Sequence, residues 1–396
     1  MKGYQFEDTQ GTFHLKKAEN ISYLYFPIAG EAGLKSSFTP NLGGDAKIDQ
    51  NTFLLEPVSA ENLVNNRNSR NFWCNVKGIG SWSLTGHSAE ELSKKFTEMQ
   101  DDSEVTAGFM WQKTTRESKK YQLRGEILSF IPVDKNVEIM LVTITNTGRM
   151  AQTVTPTAAI PLYGRSADNI RDHRHVTSLL HRIETTDTGV LVTPTLSFDE
   201  RGHQVNHMTY YCVGWSGNGE KPVDFYPTAE DFVGEGGNFE RPYAIVKNAE
   251  GVKAGTKIEG LEAVGGLHFS EITLEPEEEC SYLIFTGITE DIQEIRNLSK
   301  TYTTREKVLE ELEKTKAYWQ EKVNVAYHTG DSDFNQFMHW VSFQPILRRI
   351  YGCSFLPHHD YGKGGRGWRD LWQDCLALLI MNPDGVRQML LDNFAG

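Results

Sequence analysis

The sequence predicts a β-then-α chain, a large antiparallel sandwich followed by a helical region. Three observations carry that reading. Up to about residue 290, short β-branched and aromatic runs are broken by Gly, Asn, Asp and Pro at intervals of about ten residues. Beyond that point the apolar period changes from two to near 3.6. The length of 396 residues, at roughly 100 to 200 per domain, allows two or three units that each bury a core.

Strands are expected at Ile21–Phe26, Phe72–Val76, Gln122–Phe130, Val137–Thr145, Gln152–Pro161, Gly189–Val192 and Ser281–Thr286. Val137–Thr145 is the clearest, rich in β-branched residues and stopped by Asn146-Thr147-Gly148. The first helix is expected over Thr303–Val323, where Thr303 and Glu306 have capping-box spacing. Its stripe of Val308, Leu309 and Leu312, extended by Tyr318 and Trp319, suits a connector lying on a sheet. A second helix, Asp333–Tyr351, follows the cap signal Gly330-Asp331-Ser332-Asp333, and a third, Arg369–Met381, follows a glycine cluster. Asn382-Pro383-Asp384 places a cap and an N1 proline at the head of a fourth, Pro383–Phe394. Three apolar-faced helices after a large sheet cannot close a core among themselves. The sequence therefore reads as the N-terminal part of a longer protein, its last 60 or so residues poorly cooperative in isolation.

Lys plus Arg number 40 against 53 Asp plus Glu, a net charge of −13. That balance leaves no overall basic field for phosphate backbones, so nucleic acid is not an expected partner. The longest apolar stretches, such as Ile139–Val142 and Cys375–Met381, fall far short of the roughly 18 residues a spanning helix needs, so no membrane partner is expected. The N-terminus has no apolar run after its lysine, unlike a secretory leader, which points to the cytoplasm. Cys74, Cys212, Cys280, Cys353 and Cys375 are odd in number and widely spaced, with no C-x-x-C. They read as buried reduced thiols, not as a disulfide frame or a zinc knuckle.

The densest chemistry lies between His358 and Asp374. Gly362-x-Gly364-x-x-Gly367 matches the dinucleotide fingerprint literally, but no hydrophobic strand leads into it and no βαβ unit surrounds it. A phosphate-binding P-loop also fails, because Lys363 is followed by glycine. Asp370 and Asp374 are four apart and share a helix face, with Trp368 and Trp372 alongside at the same spacing. A carboxylate edge beside an aromatic edge is what a sugar asks for: charged side chains bond vicinal hydroxyls, and rings stack on the C–H face of a pyranose. The competing reading is that Asp370 caps its helix while the tryptophans are core. His358, His359 and Asp360 are a weaker metal candidate, because adjacent residues do not easily turn to one ion; no metal is expected. His173, His175 and His181 among Arg165, Arg171, Arg174 and Arg182 form a basic patch that reads as a solvated loop able to meet an anion. Asp231 to Asn238 reads as an exposed loop.

Three stretches resemble glycoside hydrolase family 94, the inverting β-glucoside phosphorylases. Gly367-Trp368-Arg369-Asp370-Leu371-Trp372-Gln373-Asp374 looks like that family's G-F-R-D-x-x-Q-D signature, with Trp for Phe. Asp231-Phe232-Val233-Gly234-Glu235-Gly236-Gly237, followed by a proline, resembles its F-x-G-x-x-G loop in the sandwich domain. Tyr318-Trp319 through Thr329-Gly330-Asp331 to Phe334-Asn335 and Trp340 is similar to its linker and first barrel helix. The resemblance implies a β-supersandwich over 1–290, a helical linker over 291–330, and the start of an (α/α)6 barrel over 331–396. It implies that Arg369 and Asp370 bind the sugar in the cleaved subsite, with Trp368 beside them and Arg366, Arg348 and Arg349 as further candidates. Gln373 and Asp374 would support that site from behind.

The resemblance also implies the reaction: phosphorolysis of a cellobiose-like or other β-linked gluco-oligosaccharide to an α-sugar 1-phosphate. Inorganic phosphate is the co-substrate, no other cofactor is expected, and a homodimer is possible. The general acid of the family is an aspartate well downstream of the Arg-Asp motif, hence expected beyond Gly396, so this chain alone is expected to be inactive. Two other readings stay open, a non-catalytic carbohydrate-binding or dimerising module and an inverting hydrolase on the same fold.

Overall fold

The computed structural model describes residues 3–21, 24–59, 62–63, 69–170, 174–199, 202–353, 356 and 367–395. Antiparallel pairing builds a sheet of 11 strands, a sheet of 6, a four-stranded meander and a two-stranded hairpin. The middle of the large sheet runs Leu123–Phe130, Val137–Asn146, Glu279–Thr289, Thr209–Ser216, with Val142 opposite both Ile127 and Tyr282. Both faces of this strand are buried, which is why Val137–Asn146 shows no polar alternation. Met140, Val142 and Ile144 meet Phe72, Cys74, Val154 and Ile160 of the smaller sheet. Val137, Ile139 and Leu141 face the other way, toward the helices that follow the last strand.

Those helices are Ile292–Thr301 and Arg305–Lys322, and Ile295, Leu298, Tyr302, Val308 and Leu312 pack on the large sheet. Trp215 Nε1 donates to the Tyr302 carbonyl at 3.0 Å. Sequence periodicity misses the first of the two and places the cap of the second one residue early. Tyr302 N–H closes Ile292–Thr301 on the Leu298 carbonyl, so Thr304 takes the cap position, not Thr303. Glu306 bonds the Thr304 side chain, which holds its carboxyl below the ordinary range.

Other expectations are corrected locally. Of the expected strand Ile21–Phe26, residues 22 and 23 lie outside the described residues; Ile21 N–H closes a 3-10 turn on Ala18, and the described strand is Phe26–Ala29, paired Phe26 to Phe38. The fourth C-terminal helix starts at Val386, not Pro383, because Gly385 at φ +77° stands outside helical space and Val386 N–H turns back to Pro383. Asp231 to Asn238 is only partly loop: Ala229–Val233 is a helix capped by Thr228, and Phe232 is buried against Trp73, Tyr226 and Ile245.

The helices Ser332–Tyr351, Trp368–Met381 and Val386–Ala395 share a core with the sandwich, where Phe109 stacks on Phe343 at 4.4 Å and Trp319 and Ile346 join. Trp340 Nε1 donates to the Gly11 carbonyl at 2.8 Å, and Gly11 at φ +84° allows that approach. The helix Ser332–Tyr351 rests on the meander. Tyr351 hydroxyl donates to the Ser36 and Ile28 carbonyls, and Lys35 Nζ donates to the Ile350 carbonyl at 2.9 Å.

The meander is fastened to both large sheets by one buried ion pair. Arg70 donates through Nε to Glu138 and through Nη2 to Glu138 Oε2, Ser36 Oγ and the Asp45 carbonyl, each at 3.1 Å. Both side chains are wholly buried. Removing one partner strands a charge, so Glu138→Ala is expected to destabilise the protein by about 3–5 kcal/mol. Replacing both at once, Arg70→Met with Glu138→Met, is expected to cost less than Glu138→Ala alone; urea denaturation of the variants checks both statements.

Candidate functional site

The Arg-Asp motif stands at the first turn of Trp368–Met381. Gly367 occupies the cap position and Leu371 N–H returns to its carbonyl, so Asp370 lies in the first turn, where a carboxylate favours the positive end of the helix. Arg369 extends outward with 83% of its side chain exposed and donates to Asp370 Oδ1 through Nη2 at 3.1 Å and Nε at 3.3 Å. Beside them Trp368 is 58% exposed, its ring 6.2 Å from Trp372 and edge-on to Phe394 at 5.7 Å. The last helix thus supports the aromatic edge through Phe394, which also meets Trp372 at 5.5 Å. Guanidinium, carboxylate and indole together can offer hydrogen-bond donors, acceptors and an apolar face to one ring.

Asp370 and Asp374 share a face by spacing but not a role. Asp374 is 1% exposed and receives Arg348, with Nε at 3.0 and 2.9 Å and Nη2 at 2.5 Å. This fork locks Trp368–Met381 onto Ser332–Tyr351 beneath the Arg-Asp turn. Gln373 is exposed on the same helix. Arg349, one residue on from Arg348, points to the sandwich: it donates to Glu31 at 2.8 and 3.3 Å. Tyr318 also donates to Glu31 at 3.1 Å, and partial burial together with that carboxylate pushes its phenol up to about 12. Arg349 thus ties the end of the helix Ser332–Tyr351 to the turn before the strand Lys35–Phe38 through Glu31. Glu31 and Tyr318 are far from the motif in sequence and carry no local signal that would reveal them.

Arg366, His358, His359 and Asp360 lie outside the described residues, as do Arg171 and His173. Among the described residues no group of three His, Cys, Asp or Glu side chains is placed to hold a metal ion. Two members of the basic patch are core, not solvated loop. His181 is fully buried against the Leu261 carbonyl, and burial beside Arg165 pushes its pKa down to about 3. Arg165 is itself buried and paired with Glu262 at 2.9 Å. None of the five cysteines is in a disulfide; Cys74, Cys212, Cys353 and Cys375 are buried and Cys280 is partly exposed.

Lys35 sits at the seam between meander and helix, where burial and Lys47 lower its pKa to about 8. The unfolded chain binds this proton up to about pH 10.4. The unfavourable charge is thus present in full below pH 8 and relieved as pH rises from 8 toward 10.4. Wild type is expected to gain thermal stability over that window relative to Lys35→Met, read as the Tm difference between the two proteins at each pH. Asp374→Ala is expected to destabilise by about 1.5–3 kcal/mol, the worth of hydrogen bonds to a charged group, and helical circular dichroism during urea unfolding measures it.

Residues 55–305 match the supersandwich domain of glycosyl hydrolase family 94. The chain is 23% identical over 298 residues to a 3-O-β-D-glucopyranosyl-β-D-glucuronide phosphorylase of Paenibacillus borealis, covering 70% of this chain and 34% of that protein. It is 26% identical over 185 residues to the cyclic β-(1,2)-glucan synthase NdvB of Rhizobium meliloti, covering 46% of this chain and 6% of the synthase. The chain thus spans about a third of one relative's length and a small part of the other's. Among solved structures, a family 92 α-mannosidase of Bacteroides thetaiotaomicron aligns over 83% of this chain and 38% of its own at 11% identity, with a TM-score of 0.42. The domain match covers well over half of the 396 residues, and on that ground the chain belongs to glycosyl hydrolase family 94.

Proposed function

We propose that this chain supplies the sandwich, linker and opening barrel helices of an inverting phosphorylase acting on a β-glucoside. Its division is 1–290, 291–330 and 331–396, and Arg369 and Asp370 hold the sugar whose bond is broken. Family membership supports the reading, as does the phosphorylase named among the relatives. One observation carries the site: an exposed arginine held by its neighbouring carboxylate, beside an exposed indole, on a helix turn whose underside is locked by Asp374 and Arg348. Leu376, Leu379, Ile380 and Leu391 leave an exposed apolar face on these helices, of the kind that neighbouring helices of an (α/α)6 barrel cover.

The chemistry needs fewer protein groups than hydrolysis. An inverting hydrolase requires one carboxylic acid for the leaving oxygen and one carboxylate to activate water on the opposite face. Phosphate is already a nucleophile. One of its oxygens bonds to the anomeric carbon as the glycosidic C–O bond breaks, and an acid returns a proton to the leaving oxygen, giving an α-sugar 1-phosphate. That acid, by resemblance to the family, is an aspartate well downstream of the Arg-Asp motif. Arg369 and Asp370 act by orienting the ring, and hydrogen bonds to its hydroxyls that tighten as charge develops lower the barrier.

The test is phosphate-dependent release of sugar 1-phosphate from β-1,2-, β-1,3- and β-1,4-linked glucobioses, using this chain and any longer native form. Asp370→Ala is expected to lower turnover of the active form by about a hundredfold or more. Turnover within a few-fold of wild type would remove Asp370 from the site. Release of free glucose alone, independent of phosphate, would replace phosphorolysis by hydrolysis.

A further inference from the structure

A cavity of about 350 Å³ opens at the seam between the large sheet and the first of the two helices that follow it. Its walls are the turn leading into Val137–Asn146 and the helix Ile292–Thr301, with exposed Ala32 at the rim and buried Tyr211, on Thr209–Ser216, at the floor. None of its described lining residues belongs to the helices that carry Arg348, Arg369 and Asp370. The volume falls within the roughly 300–1,000 Å³ of small-ligand pockets.

The floor carries a polar atom that packing does not use. Tyr211 is 3% exposed and shares a core with Val137, Leu298 and Tyr302, where phenylalanine would fill the same space. Its hydroxyl makes no hydrogen bond among the described residues and, unlike the Tyr302 hydroxyl, is not sealed from solvent. With the ring enclosed and the cavity beside it, the hydroxyl is the part of Tyr211 that reaches the cavity. Gly287 permits that placement. A Cβ there would lie 2.4 Å from the Tyr211 hydroxyl and 2.5 Å from the Asn136 carbonyl oxygen, and its φ is not positive, so space and not backbone geometry asks for glycine. The hydroxyl is thereby set beside Asn136, the next polar residue of the lining.

The polar groups narrow the ligand. Asn136 Oδ1 already accepts from Leu34 N–H at 2.9 Å, so what this amide has left is its NH2, a donor. Glu294 accepts from the Thr289 hydroxyl at 2.6 Å through Oε2 and keeps lone pairs for a second partner. Burial, and after it the Glu294 carboxylate, push the Tyr211 phenol up, so its hydroxyl keeps the proton it can donate. Among the described lining residues Lys135 is the one cation, and Asp134 holds it at 2.9 Å, so an anion would meet Glu294 without a free counter-charge. An ammonium would satisfy Glu294 but leave the Asn136 donor unmet. A neutral hydroxyl, which both accepts and donates, meets them all, and Val137 and Leu298 offer apolar contact to ring carbons. We propose that this cavity binds one neutral polyhydroxylated ring, a monosaccharide or cyclitol, which accepts from Asn136 and Tyr211 and donates to Glu294. The site is separate from the Arg369–Asp370 turn and does not rest on the phosphorylase reading.

D-glucose, D-galactose and myo-inositol, each titrated against the whole chain by saturation-transfer NMR and calorimetry, test the site. At least one is expected to bind saturably. Tyr211→Phe keeps the ring and Glu294→Gln keeps an oxygen for Thr289, and each is expected to weaken that binding by roughly fivefold to tenfold, as for a lost hydrogen bond, with Tm close to wild type. Asp370→Ala is expected to leave it unchanged. No saturable binding of any of the three up to about 50 mM would overturn the proposal. Binding that Tyr211→Phe and Glu294→Gln both leave at wild-type strength would also overturn it, by placing the ligand elsewhere on the chain.

Discussion

The Arg70–Glu138 pair is the constraint from which the arrangement of the molecule follows. Arg70 stands at the entrance to a strand of the six-stranded sheet, Glu138 on the central strand of the large sheet, and Ser36 and Asp45 on the meander. One guanidinium reaches all three, with Phe38 stacked 4.8 Å from its carbon. Two charges taken out of water are tolerated only when every lone pair and N–H is directed, so the pair admits one relative placement of these sheets. Close packing agrees with that placement: a Cβ on Gly265 would lie 2.2 Å from Cys212 Cβ, so only glycine fits where the two sheets cross.

The meander transmits this order to the helices. Its strand Lys35–Phe38 and the turn before it offer Ser36, Lys35 and Glu31, which take Tyr351, the Ile350 carbonyl and Arg349 respectively. All of these are on the last turn of Ser332–Tyr351, so that helix is fixed at its C-terminal end. Arg348, adjacent to Arg349 and turned about 100° from it on the helix, reaches the opposite way and fixes the next helix through Asp374. Arg369 and Asp370 are thereby presented on a turn whose position is set by two consecutive arginines and, behind them, by a buried pair among the sheets. The exposed motif is held from below and not by its own loop, which is how a site is kept rigid while its functional groups remain in water.

The family match and the physical reading divide the chain in a useful way. The matched segment, 55–305, takes in most strands of the two large sheets and the helix Ile292–Thr301. The Arg-Asp turn lies outside that segment, so its assignment rests on its own geometry and on resemblance. That turn is exposed at Arg369 and Trp368, charged, and backed from below by the Arg348–Asp374 ion pair.

Elements whose signal is local were legible without coordinates. Val137–Asn146 announces itself by β-branched content and a turn, Arg305–Lys322 by its stripe, and Ser332–Tyr351 by the Asp331 cap, because propensity, period and capping act among residues a few positions apart. Boundaries slipped where a neighbouring turn competed, at Thr303 and Pro383 and at Ile21. The Arg-Asp motif was visible as a dense pattern, and so was the spacing of Asp370 and Asp374. That one carboxylate would stay half-buried beside Arg369 and the other be buried on Arg348, and that Arg349 would reach Glu31, were not. Each of those outcomes depends on which side chain 20 to 320 positions away arrives first in space, and burial makes that choice through desolvation, a quantity with no local trace in the chain.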